Sequence, residues 1–96
     1  MNVKISEFEQ KVYRETRKIP KGEVRSYKHI AEKIGKPKAY RAVANALGKN
    51  PFAPQVPCHR VIRSDKSIGG FTRGVRIKKR LLQSEGLTIV RDVVIM

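Results

Sequence analysis

The sequence has little of several features, and each shortage excludes a class of protein. A single cysteine cannot form an internal disulfide, which excludes a disulfide-stapled secreted domain. No apolar run approaches the roughly 18 residues that a membrane-spanning helix needs. The first ten residues, MNVKISEFEQ, lack the apolar stretch that is typical of a secretory signal. We therefore expect neither a membrane span nor a secretory signal.

Acidic residues are scarce as well. The 96 residues include 22 lysines and arginines but only 8 aspartates and glutamates, which leaves a formal net charge of +14 at pH 7. A charge of this size indicates a polyanionic partner, most simply nucleic acid, and less readily an anionic membrane surface. With 40% hydrophobic and 31% charged residues, the composition is typical of a folded domain. The length allows one small domain, residues 1–96, and no separate cofactor domain.

The spacing of the apolar residues and the capping residues predict four helices. Their expected ranges are 6–19, 27–34, 37–47 and 75–84. Ser6 and Glu9 form a capping-box pattern at the start of the first helix, and Ser26 can cap the second. The fourth helix is expected to bury three apolar residues, Ile77, Leu81 and Leu82.

The second and third helices have the form of a helix-turn-helix, because a short turn containing Gly35 joins them. The apolar residues of the third helix follow a helical stripe: Ala39, Ala42, Val43, Ala46 and Leu47. This stripe leaves four residues on the outer face: Tyr40, Arg41, Ala44 and Asn45. The outer face therefore presents a cation among small or polar neighbours.

The rest of the chain is expected to form loops and short strands. Three prolines between residues 51 and 57 forbid a helix there, and residues 58–63 can form a short strand. Residues 64–70 are rich in turn formers. The tail, residues 87–96, is rich in β-branched residues and predicts a strand or a packed extended arm.

Cys58 is the candidate nucleophile. A lone cysteine is most often a small buried hydrophobe, but this one lies in PCHR, between a rigid proline and a His-Arg pair. Neighbouring cations and a histidine partner favour the thiolate, which is the nucleophilic form of the thiol. A metal site is not expected, because one cysteine with His29 and His59 cannot complete a four-ligand set without carboxylates at unusual spacings. No cofactor is expected either.

A cationic segment follows the cysteine. Between residues 60 and 80, eight cations accompany one acid, Asp65. The cations are Arg60, Arg63, Lys66, Arg73, Arg76, Lys78, Lys79 and Arg80. Part of the run at 78–80 fits a solvated helix face. The Gly69-Gly70 pair would allow the backbone to approach the thiol closely, and a nucleophile beside a cationic loop indicates a substrate carried on phosphates.

Four motifs occur in order along the chain: IPKGEVRSY, GKPKAYRAVANALGKNP, VPCHRVI and GGFTRGVRIKKRLLQSEG. With them, the stretch from about Phe8 to Leu87 resembles the C-terminal, active-site domain of the alkylguanine-DNA alkyltransferases. These proteins repair guanine that is alkylated at its exocyclic oxygen. PCHRV alone would be a moderately specific match, but the four motifs in this order are highly specific.

The resemblance implies the roles of four residues in the reaction. Cys58 matches the alkyl acceptor. His59 matches the residue that takes the thiol proton through a bridging water, and Glu85 matches the carboxylate that orients the histidine. Tyr27 matches the tyrosine that contacts the guanine and protonates it as it leaves. The thioether product is a poor leaving group, so each chain would react once.

The resemblance also implies contacts with DNA. Arg41 matches the arginine that enters the base stack in place of the flipped nucleotide. Asn50 matches an asparagine that braces the turn before the active-site segment. The other matched or outward-facing positions expected at the DNA or the extruded base are Tyr40, Ala44, Asn45, Arg60, Val61 and Thr72. The expected partner is double-stranded DNA containing O6-alkylguanine, bound as a monomer in the minor groove and not at a membrane.

The implied fold is a mostly α, small α+β domain of winged helix-turn-helix type with short strands. The expected location is the cytoplasm of a prokaryote, at its nucleoid, or the nucleus of a eukaryote. Phe71 stands where many family members have tyrosine, and Arg73 replaces a glycine that is common there. The N-terminal domain that many members carry is not expected in this chain.

Two other functions stay open. The alkyltransferase-like proteins have this size and bind alkylated guanine without transfer, but they usually have tryptophan at the acceptor position, so Cys58 favours transfer. An ordinary helix-turn-helix transcription regulator would leave PCHR and Glu85 without a role.

Overall fold

The computed structural model describes residues 5–69 and 74–95, and in these ranges α-helices alternate with short strands. In chain order the elements are α1 (Glu7–Arg17), β1 (Arg25–Ser26), α2 (Tyr27–Lys33), α3 (Tyr40–Gly48), a 3-10 turn (Cys58–Arg60), β2 (Val61–Ile62), α4 (Val75–Ser84), β3 (Thr88–Val90) and β4 (Val93–Ile95). The expected mostly helical domain of winged helix-turn-helix type is confirmed. Within the two described ranges, no helix is long and apolar enough to cross a membrane.

The capping box predicted for α1 is present. The Glu9 amide donates to the Ser6 hydroxyl oxygen at 3.1 Å, and the Ser6 amide donates to the Glu9 carboxylate at 3.0 Å. These bonds satisfy two of the backbone donors that a helix start leaves unpaired. The helix ends at Arg17, two residues before the expected limit, and Val12 on its inner face is fully buried.

The helix-turn-helix forms as expected at α2 but differs at the start of α3. Ser26 caps α2 by accepting a hydrogen bond from the His29 amide at 2.9 Å. The third helix begins at Tyr40 and not at Pro37, which corrects the prediction. The Ala39 amide donates to the Lys36 carbonyl at 2.8 Å, so Pro37 occupies the second position of a tight turn, where proline is also favoured.

The stripe predicted along α3 is correct at its centre and wrong at one edge. Val43, Ala46 and Leu47 are buried, whereas Ala42 is exposed. The buried residues pack against α1, whose Tyr13 hydroxyl donates to the Ala46 carbonyl at 2.7 Å. This bond satisfies a polar group in the core and fixes α3 against α1.

A short parallel pairing connects the two halves of the chain. β1 pairs with β2 in the register Arg25↔Val61 and Ser26↔Ile62. The strand expected over residues 58–63 is therefore only two residues long. Before it the chain forms a 3-10 turn, because the Arg60 amide donates to the Pro57 carbonyl at 2.9 Å. The pairing places the start of α2 beside this turn.

Two buried clusters flank the segment that carries the cysteine. The first cluster lies under α1, α2 and α3 and includes Val12, Tyr13, Ile19, Ile30, Ala31, Val43, Ala46, Leu47, Val56, Cys58 and Val61. The second cluster lies under α4 and the tail and consists of Val24, Ile62, Ile68, Leu82 and Val94. Since Cys58 and Val61 belong to one cluster and Ile62 to the other, the cysteine segment is held on both sides by packing.

The tail forms an antiparallel hairpin of β3 with β4, so the β-branched residues form two short strands where the composition predicted a strand or a packed extended arm. The two residues between the strands, Arg91 and Asp92, have φ angles of 51° and 62°, which suit a two-residue hairpin turn. Lys79 of α4 contacts the Asp92 carboxylate at 2.6 Å and connects the helix to this turn.

Helix α4 has the predicted range but a different buried face. Ile77 is 39% exposed, so its predicted inward position is wrong, and Lys78 is fully buried. The Lys78 ammonium donates to the Val61 carbonyl at 2.7 Å and to the Tyr27 hydroxyl at 3.3 Å. Lys78 precedes the buried Leu82 by four residues and so shares its face of the helix. Burial, the main cause, lowers the pKa of Lys78 to about 8.

Replacing Lys78 tests whether its pKa is lowered in the folded protein. Between pH 8 and its ordinary value of 10.5 the unfolded chain binds a proton at Lys78 that the folded chain does not, so folding gains stability as the pH rises. We expect wild type to gain about 3 kcal/mol in free energy of unfolding over this range relative to Lys78→Met. Urea unfolding at a series of pH values measures the difference.

The matched control is Lys33→Met, which removes an exposed lysine at the end of α2. This variant should follow wild type across the same pH range. A difference between wild type and Lys78→Met that stays constant from pH 8 to 10.5 would contradict the lowered pKa.

Candidate functional site

The Cys58 thiol lies at an open cavity of about 1010 Å³, which we call the Cys58 cavity. Its walls come from the start of α2, the outer face of α3 and the segment from Cys58 to Asp65. The cysteine is 9% exposed, so its sulfur is mostly covered by the core cluster below it. A cavity of this size is of the order that surrounds a small ring system.

Tyr27 forms a wall of this cavity and contacts the buried lysine. An ammonium group has only donors, so in the 3.3 Å contact between Lys78 and Tyr27 the hydroxyl oxygen must accept. The tyrosine's own proton therefore points elsewhere. Burial is the main cause that raises the pKa of Tyr27, while Arg63 opposes the rise. The hydroxyl is thus a neutral donor at ordinary pH.

Gly69 packs directly against this tyrosine. A Cβ atom at Gly69 would lie 3.4 Å from the Tyr27 hydroxyl oxygen and 3.4 Å from the Cγ of Arg63. The φ angle of Gly69 is +70°, a conformation that side chains other than glycine rarely adopt. The sequence predicted that the Gly69-Gly70 backbone approaches the thiol; in the described part of the pair, Gly69 instead lies against Tyr27 and Arg63.

Beside the cysteine, His59 and Arg60 share one carboxylate. The Nε2 of His59 lies 3.1 Å from Oε2 of Glu85. Arg60 donates from Nε to Oε1 at 3.0 Å and from Nη2 to Oε2 at 2.6 Å. The hydrogen bonds from Arg60 are the main cause that holds the pKa of Glu85 below its usual range, and those from His59 act in the same direction. The structure therefore brings together the histidine and the carboxylate that the sequence paired.

The outer face of α3 borders the Cys58 cavity. Arg41 is exposed at its edge, with Tyr40 and Ala44 beside it in the same wall. Asn45 is also exposed, on the outer side of the helix. Of the four residues predicted to face outward, Tyr40, Arg41 and Asn45 are exposed and Ala44 is half-buried, and all but Asn45 line the cavity. The small side chain of Ala44 leaves the helix surface open to close approach.

Asn50 braces the loop before the cysteine. Its side-chain amide donates to the Val56 carbonyl at 2.8 Å, and its carbonyl oxygen accepts from the Phe52 amide at 2.9 Å. These bonds hold the proline-rich loop closed on itself. They fit the bracing position that the resemblance implied for Asn50.

Other predicted site residues lie elsewhere. Val61 is fully buried, and its carbonyl accepts from Lys78. Arg60 points toward Glu85 and donates from Nη1 to the Ile19 carbonyl at 2.9 Å. The predicted contact Thr72, with Phe71 and Arg73, lies outside the described residues. Within residues 5–69 and 74–95, no group of three cysteine, histidine, aspartate or glutamate side chains could hold a metal ion.

Sequence reasoning missed Lys78, which was assigned in part to a solvated face. Its spacing of four residues from Leu82 was the signal available. Lys78 donates to the Tyr27 hydroxyl and the Val61 carbonyl, which lie 51 and 17 residues away along the chain. No local sequence pattern could therefore identify these partners.

Comparison with known proteins identifies relatives of this chain. Residues 7–87 match the family model of the 6-O-methylguanine DNA methyltransferase DNA-binding domain. A methylated-DNA–protein-cysteine methyltransferase of Methanosarcina barkeri is 49% identical over 80 residues, which cover 83% of this chain and 51% of that protein. The chain thus spans about half the length of the curated relatives it matches.

Solved structures of similar proteins also match this chain. The chain superimposes with a TM-score of 0.83 and 44% identity on Mycobacterium tuberculosis OGT in complex with DNA, covering 88% of this chain and 52% of that one. It also superimposes on S. pombe Atl1 in complex with damaged DNA containing O6-carboxymethylguanine, with a TM-score of 0.82 and 34% identity over 92% of this chain and 83% of that one. Since the family model spans most of the chain, the chain belongs to the family of 6-O-methylguanine DNA methyltransferase DNA-binding domains.

Proposed function

We propose that the chain is one alkyltransferase-type domain that transfers an alkyl group, most simply methyl, from O6-alkylguanine in duplex DNA to Cys58. The observation that carries this proposal is the shared cavity. Cys58, Tyr27 and the exposed Arg41 all line the same space of about 1010 Å³. The relatives that are named methylated-DNA–protein-cysteine methyltransferases support the same reaction.

The substrate must leave the base stack to reach the thiol. A thiol cannot approach a base substituent inside a duplex, so the nucleotide is rotated out at a cost of a few kcal/mol. Arg41, exposed on α3 at the edge of the cavity, fills the space that the base leaves and offsets part of this cost. In this arrangement the helix-turn-helix lies in the minor groove.

The transfer itself is a nucleophilic displacement. The Cys58 thiol gives its proton to His59 through a bridging water, and the sulfur attacks the alkyl carbon. A sulfur–carbon bond forms, the bond from that carbon to guanine O6 breaks, and its electron pair stays on guanine. Tyr27 gives its hydroxyl proton to the leaving guanine. The proton that His59 took from the thiol then replaces it on Tyr27, so the number of protons balances. The thioether is a poor leaving group, so each chain reacts once.

The charge of the chain supports a DNA partner. A net charge of +14 attracts duplex DNA of any sequence and raises the encounter rate. We infer that the chain acts as a monomer on DNA, in the cytoplasm of a prokaryote or the nucleus of a eukaryote.

The direct test is methyl transfer. Incubation with duplex DNA that carries O6-methylguanine should add one methyl group to the Cys58 peptide, measured by mass spectrometry, and should remove the methyl from DNA. The yield should reach about one methyl group per chain and then stop. Duplex binding with a reduced, unmodified Cys58 would refute transfer.

A second function is favoured by one comparison. The chain superimposes with a TM-score of 0.82 on S. pombe Atl1, which was solved with damaged DNA containing O6-carboxymethylguanine. This similarity supports binding of the lesion, which a lesion-binding protein without alkyl transfer would share, whereas the cysteine in the cavity wall favours transfer.

Cys58→Ser separates the two functions. The variant should retain the preference for O6-methylguanine duplex over unmodified duplex, because the cavity keeps its other walls, and it should lose all methyl transfer. Gel-shift and mass measurements on wild type and variant distinguish the cases. Equal lesion binding by both proteins, with no methyl transfer by wild type, would select the lesion-binding function.

Arg41→Ala tests base extrusion. Without the side chain that fills the stack, we expect the transfer rate at saturating duplex to fall by roughly tenfold or more, since extrusion costs a few kcal/mol. Fluorescence of a reporter base opposite the lesion measures extrusion. The matched control is Lys28→Ala, which removes an exposed cation from the same cavity wall.

The control should lower the salt dependence of duplex binding by about one unit and leave extrusion intact. If Arg41→Ala lowered duplex affinity and transfer in equal proportion, the stack-filling role of Arg41 would be wrong.

A further inference from the structure

Arg60 uses its guanidinium inside the protein. Its side chain is 17% exposed, and it makes three hydrogen bonds: two to the Glu85 carboxylate and one to the Ile19 carbonyl. An arginine that binds phosphate presents its donors to solvent. Arg63, three residues further on, does so, because it is exposed in the wall of the Cys58 cavity. The two arginines therefore have different tasks.

Arg60 contacts Glu85 through two parallel hydrogen bonds, a bidentate or two-pronged contact. Nε donates to one carboxylate oxygen at 3.0 Å and Nη2 to the other at 2.6 Å, so the plane of the carboxylate is fixed as well as its distance. The third bond, 2.9 Å to the Ile19 carbonyl, anchors the guanidinium to the segment after α1. Glu85 is the C-cap residue that follows α4, and Gly22 packs against its backbone carbonyl. The arginine thus joins three segments at one carboxylate.

The carboxylate in turn decides which nitrogen of His59 carries a proton. The charged groups that act on Glu85 are Arg60 and His59, and with Arg60 as the main cause its pKa lies below the usual range. An ionised carboxylate only accepts hydrogen bonds, so Nε2 of His59, at 3.1 Å, must donate. A neutral imidazole has one N–H, which leaves the lone pair on Nδ1.

We propose that Arg60 is a positioning residue for the Cys58 reaction: it holds Glu85 so that His59 keeps its proton on Nε2 and can accept the thiol proton at Nδ1. This role replaces the contact with DNA or the extruded base that the sequence indicated for Arg60. It rests on the proposed function, because it names the residue that prepares the proton acceptor of that reaction.

Two arginine variants distinguish a cation that positions Glu85 from a cation that contacts DNA. Arg60→Gln and Arg63→Gln remove the same charge three residues apart in the full chain. At saturating O6-methylguanine duplex, Arg60→Gln should slow methyl transfer by about 10- to 100-fold, the range seen when a partner that orients a histidine ligand is lost. Its salt dependence of duplex binding should equal that of wild type, whereas Arg63→Gln should lower that dependence by about one unit.

The pH profile gives a second readout. Without Arg60 the Glu85 carboxylate takes up a proton at higher pH, so the acid limb of the transfer rate should move to higher pH in Arg60→Gln. Arg60→Lys keeps the charge but loses the two-pronged contact, and should give a smaller shift and a partial loss of rate. This variant also decides the question if Arg60→Gln does not fold.

A double variant tests whether Arg60 acts through Glu85. Adding Arg60→Gln to Glu85→Gln should cause no further loss of rate, because the carboxylate that Arg60 holds is already gone. Nitrogen NMR of the histidine ring should show His59 protonated at Nε2 in wild type and a mixture of tautomers in Arg60→Gln. The ring of His29, on α2, is the internal reference and should not change.

Three results would overturn the proposal. The first is a fall in salt dependence for Arg60→Gln equal to that of Arg63→Gln, with an unchanged rate at saturation, which would make Arg60 a DNA contact. The second is independent loss of rate from Arg60→Gln and Glu85→Gln. The third is an unchanged His59 tautomer in Arg60→Gln. Failure of wild type to methylate Cys58 would refute the proposed function, and the NMR measurement would still test Arg60.

Discussion

The pairing of β1 with β2 is the interaction on which the site depends. Only two residues of each strand take part, Arg25↔Val61 and Ser26↔Ile62, yet they join segments that are 36 residues apart. Because Tyr27 follows β1 directly and Cys58 lies three residues before β2, the pairing places Tyr27 and Cys58 on one cavity. Two backbone pairs are weak alone. The Lys78 bond to the Val61 carbonyl and the buried clusters on both sides reinforce them.

The few acidic residues are used where they hold structure, which leaves the positive charge available to a polyanion. Seven of the eight acidic side chains make contacts within the chain: Glu7, Glu9, Glu15, Glu23, Asp65, Glu85 and Asp92. Six of them serve helix ends, turns or surface pairs, each of which contributes modestly. Glu85 differs because its side chain is only 10% exposed and its carboxylate contacts a histidine and an arginine. Its local surroundings, not the overall charge, set its chemistry.

The sequence predicted those features that depend on near neighbours along the chain. Ser6 with Glu9 and Ser26 with His29 are separated by three residues, and both caps form as expected. Pro37 shows the limit, because proline suits the first turn of a helix and the second position of a tight turn equally well. In the structure the Lys36 amide donates to the Ala31 carbonyl and the Ala39 amide donates to the Lys36 carbonyl, so Lys36 belongs both to the end of α2 and to the tight turn that holds Pro37.

Within the site, the same limit applies to the cations. The pairing of His59 with Glu85 came from the resemblance, but the partners of Arg60 and Lys78 did not, since these lie 25 and 51 residues away. A run of positive charge looks uniform in a sequence, because spacing alone does not show which members fold inward. The fold divides the run into cations that point inward and contact neighbours, such as the half-buried Arg60 and the buried Lys78, and exposed cations, such as Arg63, that line the cavity.

The two inward-pointing cations, Arg60 and Lys78, set where the proposed reaction takes up and releases protons. Arginine and lysine side chains donate hydrogen bonds and, when charged, accept none. Arg60 therefore keeps Glu85 an acceptor, which puts a proton on Nε2 of His59 and a lone pair on Nδ1. Lys78 makes Tyr27 an acceptor on one side, which turns the hydroxyl proton toward the rest of its surroundings. One cation prepares a group that takes a proton and the other prepares a group that gives one. The reaction needs both groups, because the thiol must lose a proton and the guanine must gain one. The donors of Arg60 and Lys78 orient both groups before the DNA binds.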